Sequence, residues 1–280
     1  MQIQKDIYPF KDSSCISVSY TERFFDGKDT AVQIYDRYKI SVLLSDGLNA
    51  VKGNTLIQSE KYTILFFRPD ELHFAHFTKP GNHAYLDIFV PPSFFEKMCV
   101  PRETLCFLTD TSENRINYIT EKTKTAEMVH TAVDALKNDN PASEIKLFSV
   151  FLQILLLCGE CYEKQKGTPQ NKNIPAVVSK TIQYISENFE QKLSLDALSE
   201  SANCSVAYLS RLFKQYVGTS VYNYITVTRI ANAQKLLKNG ATVTEACFCS
   251  GFEDCSNFIR TFKKLTGETP LGYKKKTPYP

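Results

Sequence analysis

The sequence predicts a multi-domain α+β chain: an N-terminal β-barrel with two helices, then an all-α domain with two helix-turn-helix units. Three observations predict it. Residues 15 to about 110 carry short β-branched and aromatic runs separated by turn residues. From about residue 110 the apolar spacing becomes helical. Beyond Pro175 only helical patterns follow, and they repeat with an offset of 49 residues. The boundaries expected are 1–166 for the first domain, 167–175 for a linker and 176–280 for the second.

Size and composition agree. A chain of 280 residues suits two domains, and 43% apolar with 22% charged residues can bury real cores. With 11 Gly and 12 Pro it is not fibrous or low-complexity. The longest apolar stretch, Leu147 to Cys158, is 12 residues long and contains Gln153. A bilayer span needs roughly 20 apolar residues, so no membrane helix is expected. The start, MQIQKDIYPF, lacks the basic-then-apolar layout of a secretory signal, and a cytoplasmic location is the expectation. The nine cysteines are odd in number and scattered, without paired CxxC motifs at zinc spacing, so they read mostly as small buried thiols.

The net charge of +3 conceals an asymmetry. Residues 172–280 hold 14 Lys and Arg against 8 Asp and Glu, while the remainder holds 19 against 22. A basic C-terminal part beside an acidic N-terminal part points to a polyanionic partner for the former.

In the first domain the strand-like runs are CISVSY, AVQIYDRYKISVLL, YTILFF and AYLDIFV, with DGKD, SDG, RPDE and KPGN as turn material. Their spacing suggests a sandwich or small barrel. Asp110 and Glu113 have the form of a capping box, opening a helix through Ile116, Ile119, Ala126, Val129, Val133 and Leu136. A second helix is expected from near Ala142 to about Glu163. Its apolar surface, including Ile145, Phe148, Leu152 and Leu156, is wider than one face needs. That surface is either core or a contact with another subunit. Cys158 and Cys161 form a CxxC at the end of this helix, without the βαβ setting of a thioredoxin-like pair. GTPQNKNIP, residues 167–175, has linker composition.

The repeat in the second domain pairs Ala197 with Ala246, Arg211 with Arg260, Phe213 with Phe262, Lys214 with Lys263, Gly218 with Gly267 and Tyr224 with Tyr273. Each copy reads as helix, tight turn, capped helix. Ser194 and Ser205 are caps in the first copy and Asp254 in the second, and Gly218 and Gly267 stop the second helix of each. Ser220 starts a longer helix between the copies. Two helices joined by a short turn form the helix-turn-helix shape, whose second helix enters the major groove. Opposite the apolar stripe these helices offer Ala207, Ser210 and Arg211, then Cys255, Ser256, Asn257 and Arg260, as base contacts. Arginine bonds guanine in a bidentate way and asparagine does so with adenine. Lys214 and Lys263, with Ser205 and Asn223 at helix N-termini, suit phosphate. Phe213, Phe258, Ile259 and Phe262 read as core, and Lys274 to Lys276 as a frayed basic tail.

These residues carry a resemblance. Leu195 through Tyr273 resembles the DNA-binding domain of the AraC family of bacterial transcription regulators. The marks are Arg229, Ala233, Leu236 and Leu237, then Gly251, Phe252, Asp254, Phe258, Phe262, Lys263, Gly267, Thr269, Pro270 and Tyr273. Lys274 departs from the family's usual arginine, and Cys255 occupies a position that often faces DNA. The resemblance implies two recognition helices about 34 Å apart on one DNA face, a homodimer on two half-sites, and RNA polymerase as a partner.

The first domain resembles the family's cupin-like sensor, chiefly in Arg68 to His73, Tyr85 and the Ile88–Phe95 segment. Gln33, Tyr35 and Lys39 stand where a metal cupin needs two histidines and a glutamate. Neither a metal nor a cofactor is therefore expected. His73, His76 and His83 read as ordinary polar residues, with the first two on opposite strand faces. What remains is an effector pocket of Gln33, Tyr35, Lys39, His73 and Tyr85, suited to a sugar or another small polar ligand. The expected function is a ligand-responsive DNA-binding regulator, an activator without catalytic residues. The alternatives are a cupin enzyme fused to a DNA-binding domain, and a regulator whose barrel only dimerises.

Overall fold

The computed structural model describes the chain except residues 10–14, 27–29, 34, 53–54, 99–101, 111–116, 139, 166–171 and 277–280, and the side chains of 30–33, 52, 55, 102–103, 172–173 and 276. It divides into two compact units, Met1–Ala50 with Ile57–Lys172, and Val51–Leu56 with Asn173–Pro280.

From the N-terminus the chain forms β1 (Gln2–Ile7), β2 (Ile16–Phe25), β3 (Thr30–Gln33), β4 (Tyr38–Leu43), β5 (Leu48–Lys52), β6 (Thr55–Ser59), β7 (Thr63–Phe67), β8 (His73–Phe77) and β9 (Gly81–Val90). Then come α1 (Pro92–Lys97), a 3₁₀ turn at Arg102–Leu105, α2 (Cys106–Thr109), β10 (Tyr118–Thr120), α3 (Lys122–Lys137) and α4 (Ser143–Gln165). The described strands lie in two sheets rather than one closed barrel. One has the order β1-β2-β9-β4-β7-β10 and is antiparallel throughout. The other places β6, β5, β8 and β3 side by side. Phe25, Leu43, Leu65 and Phe67 of the first sheet share a core with Leu48, Ala50, Ile57 and Phe77 of the second.

Strand alternation gives the first sheet two different faces. Ile16, Val18, Ile40, Val42, Ile64, Phe66, Leu86 and Ile88 point one way and pack with Met128, Val129 and Ala132 of α3 and Val150, Phe151 and Ile154 of α4. The intervening residues Ser17, Ser19, Thr21, Lys39, Ser41 and Asp87 point the other way, and they too are buried. One face is a dry seal against helices, and the other sets these polar groups beside Leu43, Leu65 and Phe67 of the core shared with the second sheet.

Several local expectations need correction. The run at 31–44 is not one strand: β3 and β4 belong to different sheets, and the Tyr35 carbonyl between them accepts from the Asp70 N–H at 2.7 Å. Before residue 15, β1 pairs with β2 along its length as an edge strand, its mixed polar composition hiding it. Asp110 does not open a helix but follows the end of α2. Ile119 lies in β10 opposite Ile64, so α3 starts only after Glu121, whose carboxylate accepts from the Lys124 N–H at 2.8 Å. Glu113 and Ile116 lie outside the described residues. Helix α4 is long and apolar enough to cross a membrane by length and composition, which the count of uninterrupted apolar residues missed. Here it packs in the first unit's core, leaving Ile145 (73%) and Leu156 (59%) exposed. Gly159 lets it approach the 3₁₀ turn: a Cβ there would stand 3.2 Å from the Thr104 carbonyl.

The second unit runs α5 (Ala176–Asn188), α6 (Leu195–Ser201), α7 (Val206–Val217), α8 (Val221–Lys238), α9 (Val243–Cys249), α10 (Cys255–Thr266) and α11 (Pro270–Lys276). The repeat is visible in lengths: α6 and α9 have 7 residues each, and α7 and α10 have 12. Ser205 and Asp254 cap α7 and α10, and Gly218 and Gly267 end them at φ +81° and +83°. Both glycines sit in the left-handed region that terminates helices. Ser194 caps α6, Ser220 caps α8, and a capping box of Thr242 and Glu245 opens α9. Helix α8 spans about 27 Å at 1.5 Å per residue, a rigid spacer between the modules.

Candidate nucleic-acid interface and effector cavity

Each helix-turn-helix places its second helix on a small core. In the first, Leu198, Leu209, Phe213 and Val217 are buried, and Phe213 meets Tyr224 of α8 edge-on at 5.3 Å. In the second, Ala246, Cys247, Phe252, Phe258 and Phe262 gather with Ile230, Ala233 and Leu237 of α8. Ile259, expected in this core, is 40% exposed. It stands one position past Phe258, and the 3.6-residue period carries it off the buried stripe.

Buried stripes of this kind turn the opposite faces outward. Ser205, Ala207, Arg211 and Lys214 are exposed, as are Ser256, Asn257, Arg260 and Lys263. Ser210 and Cys255 are half-buried, and Cys255 packs against the second core. Asn223 is half-buried too, its amide donating to the Thr219 hydroxyl at 2.9 Å. The Arg211 guanidinium lies 5.6 Å from the ring centre of Tyr208. Arg260 instead donates to the Asn257 side-chain oxygen at 3.4 Å. Exposed Tyr208 was passed over in the sequence. The 49-residue offset places it opposite Asn257, which is the signal that could have found it.

The turns are anchored by long side chains. Arg229 of α8 donates from Nε to the Phe189 carbonyl and from Nη2 to the Gln191 carbonyl, both at 2.8 Å. Gly251 (φ +80°) lies against the same loop, where a Cβ would come within 2.6 Å of the Phe189 carbonyl. Lys274 is not part of a frayed tail. Its ammonium donates to the Gly240 and Ala241 carbonyls at 2.8 and 2.9 Å, tying α11 to the end of α8.

In the first unit a cavity of about 50 Å³ opens on the sheet face that carries Lys39 and Ser41. Lys39, His73 and Tyr85 line it, together with Arg23, Phe25, Ser41, Leu65, Phe67, His76 and Phe77. Lys39 is buried. Its ammonium pairs with Asp87 at 3.0 Å, and Ser41 donates to the other oxygen of Asp87 at 2.6 Å. Tyr35, Phe67 and Phe89 surround that ammonium at 5.2 to 5.8 Å. Tyr35 thus flanks Lys39 rather than lining the cavity, and burial holds its phenol far above the usual range, so it stays protonated. The Gln33 side chain lies outside the described residues. His73 stacks on Phe67 at 3.9 Å. His76 also lines the cavity, so the space reaches both faces of β8, and burial lowers its pKa below the ordinary histidine value. Among the described residues no group of three or more His, Cys, Asp and Glu side chains gathers as a metal site. Cys158 is fully buried and Cys161 half-buried, and burial raises both thiols.

Residues 198–276 match the protein family described as "Helix-turn-helix domain". The bifunctional transcriptional activator/DNA repair enzyme AdaA of Bacillus subtilis is 28% identical over 119 residues, 42% of this chain and 54% of AdaA. The chain therefore spans about half the length of that relative. Among solved structures, the C-terminal domain of the response regulator AraT from Geobacillus stearothermophilus is 31% identical, covering 38% of this chain and 88% of that one, with a TM-score of 0.36. A probable AraC family transcriptional regulator from Rhodopseudomonas palustris is 25% identical over 38% of this chain and all of that one, with a TM-score of 0.35. Residues 198–276, which carry the two sets of capped helices, are therefore a helix-turn-helix domain.

Proposed function

We propose that the protein is a sequence-specific, DNA-binding transcription regulator of the cytoplasm, an activator that works as a homodimer with RNA polymerase and answers to a small molecule held in the first unit. One observation carries the DNA reading. Two modules of equal helix lengths present Arg and Lys at equivalent exposed positions, Arg211 with Lys214 and Arg260 with Lys263. A solvated arginine is ordinary on any single helix. Its recurrence at the sixth position of both second helices is what a reader of two groove segments needs. In this reading Arg211, Arg260 and Asn257 meet base edges, with Tyr208 added to that surface. Ala207 and Ser256 line the approach, Ser210 and Cys255 sit at its margin, and Ser205, Asn223, Lys214 and Lys263 meet phosphate. A signal follows from the ligand only to the extent that it binds two arrangements of the protein with different affinity. The effector reading rests on the cavity of Lys39, His73 and Tyr85, a concave space with convergent polar groups. Small molecules with a polar group are the class expected there.

The test is selection of bound duplexes from a random pool by the full-length protein, at a fixed salt near physiological strength. The expected result is a long motif in two parts. Binding that is indifferent to sequence and collapses with salt would overturn the reading.

A further inference from the structure

The cavity's chemistry narrows the effector, on the reading that the first unit binds one. Its polar lining is Arg23, Lys39, Ser41, His73, His76 and Tyr85, and no Asp, Glu, Asn or Gln side chain of the described residues lines it. Guanidinium and ammonium groups only donate, and the Ser41 hydroxyl donates to Asp87, so acceptors in the lining are confined to the Ser41 and Tyr85 oxygens and the two imidazoles. Asp87, the acid paired with Lys39, is outside the lining, and its two oxygens are engaged by Lys39 and Ser41. The pair therefore adds no net charge. Arg23 does add one: its guanidinium lies 4.3 Å from the ring centre of Phe25, and no carboxylate of the described residues pairs with it. The rest of the wall is apolar, with Phe25, Leu65, Phe67 and Phe77.

A sugar fits such a wall poorly. Each sugar hydroxyl donates as well as accepts, and a ring of several hydroxyls needs more acceptors than these few groups supply, so hydroxyl hydrogens facing the apolar wall would lose their hydrogen bonds. A carboxylate accepts only, which is what a donor-rich lining offers. The space holds roughly three to five waters, which limits the ligand to a small body.

We propose that the cavity binds a small monocarboxylate with an aromatic or branched apolar body. Its carboxylate meets Arg23 and its body lies against Phe25, Phe67 and Phe77.

Calorimetry on the full-length protein tests this, with benzoate and isovalerate as probes and benzamide, isovaleramide and L-arabinose as comparisons. At least one acid is expected to bind about tenfold or more tighter than its neutral amide. Arg23→Gln, at an exposed position and with its melting temperature compared with the wild type as a folding control, is expected to remove about that factor for the acid and leave the amide unchanged. Equal binding of acid and amide overturns the proposal, as does an acid affinity insensitive to Arg23→Gln. Binding of L-arabinose without either acid overturns it while leaving the regulator reading intact. Silence from every probe also overturns it. The DNA selection judges the regulator reading separately, without any effector.

Discussion

The two helix-turn-helix modules share a skeleton and differ in their fastenings and outer chemistry. Asp254 accepts two N–H groups at the start of α10, from Ser256 at 3.2 Å and Asn257 at 2.7 Å, whereas Ser205 accepts one, from Tyr208 at 3.3 Å. Helix α9 opens on a reciprocal capping box, and α6 on a single serine. The tight turn uses Gly251 in the second module and Asn203, at φ +53°, in the first. Outside, Arg211 lies by a tyrosine ring and Arg260 is bonded to an asparagine. What sets the position of the second helix is alike in the two modules. The exposed chemistry of that helix is what differs.

The sharpest way to break the symmetry is at the turns. Gly251→Val forces a Cβ into the Phe189 carbonyl and a branched residue into positive φ, and is expected to cost about 3 kcal/mol. Asn203→Ala, where only a backbone preference is lost, should cost about 1 kcal/mol. Urea denaturation of the full chain, followed by far-UV circular dichroism, compares them through the midpoint of the helical unit. Equal shifts would mean that the close approach at Gly251 relaxes.

DNA binding comes next in size. Arg211→Ala and Arg260→Ala should each weaken the selected site by about 1–3 kcal/mol and relax preference locally. Lys214→Ala and Lys263→Ala should weaken all sequences alike and lower the salt slope by about 1. Anisotropy titrations at several salt concentrations separate the two behaviours.

The caps follow. Removing Asp254 should cost about 1–2 kcal/mol and removing Ser205 about 1 kcal/mol, read by melting of the alanine variants. Reversal of that order would show that the second N–H bond of Asp254 contributes little.

The smallest effect is a pH dependence at Glu245, whose carboxyl accepts from the Thr242 backbone N–H and hydroxyl and is held below the ordinary glutamate range by those bonds. A folded-state value below the unfolded one means that the stabilisation is present above the ordinary glutamate pKa. It is lost as pH falls through the folded value. Melting of the wild type and Glu245→Gln between neutral and acid pH checks it. The gap between them should close on acidification.

Much of the second unit was legible because its signals are local. Ser194, Ser205, Ser220, Asp254, Gly218 and Gly267 act within one turn of where they stand, and all do in the fold what their residue type suggests. Arg229 and Lys274 were less legible: their carbonyl partners lie 33 to 40 residues away in sequence. The first unit hid more for the same reason. Ile119 reads as helical by spacing, but pairing with Ile64 makes it a strand residue. Lys39 reads as a poor metal ligand. Its ion pair with Asp87, 48 positions on, comes from the neighbouring registers of β4 and β9.

The central claim is that each module reads its own stretch of DNA. Random-pool selection with Arg211→Ala and with Arg260→Ala, set beside the wild type, tests it most directly. Each variant should lose sequence preference in a different part of the motif and keep it in the other. Loss at the same positions in both variants, or at none, would contradict the account.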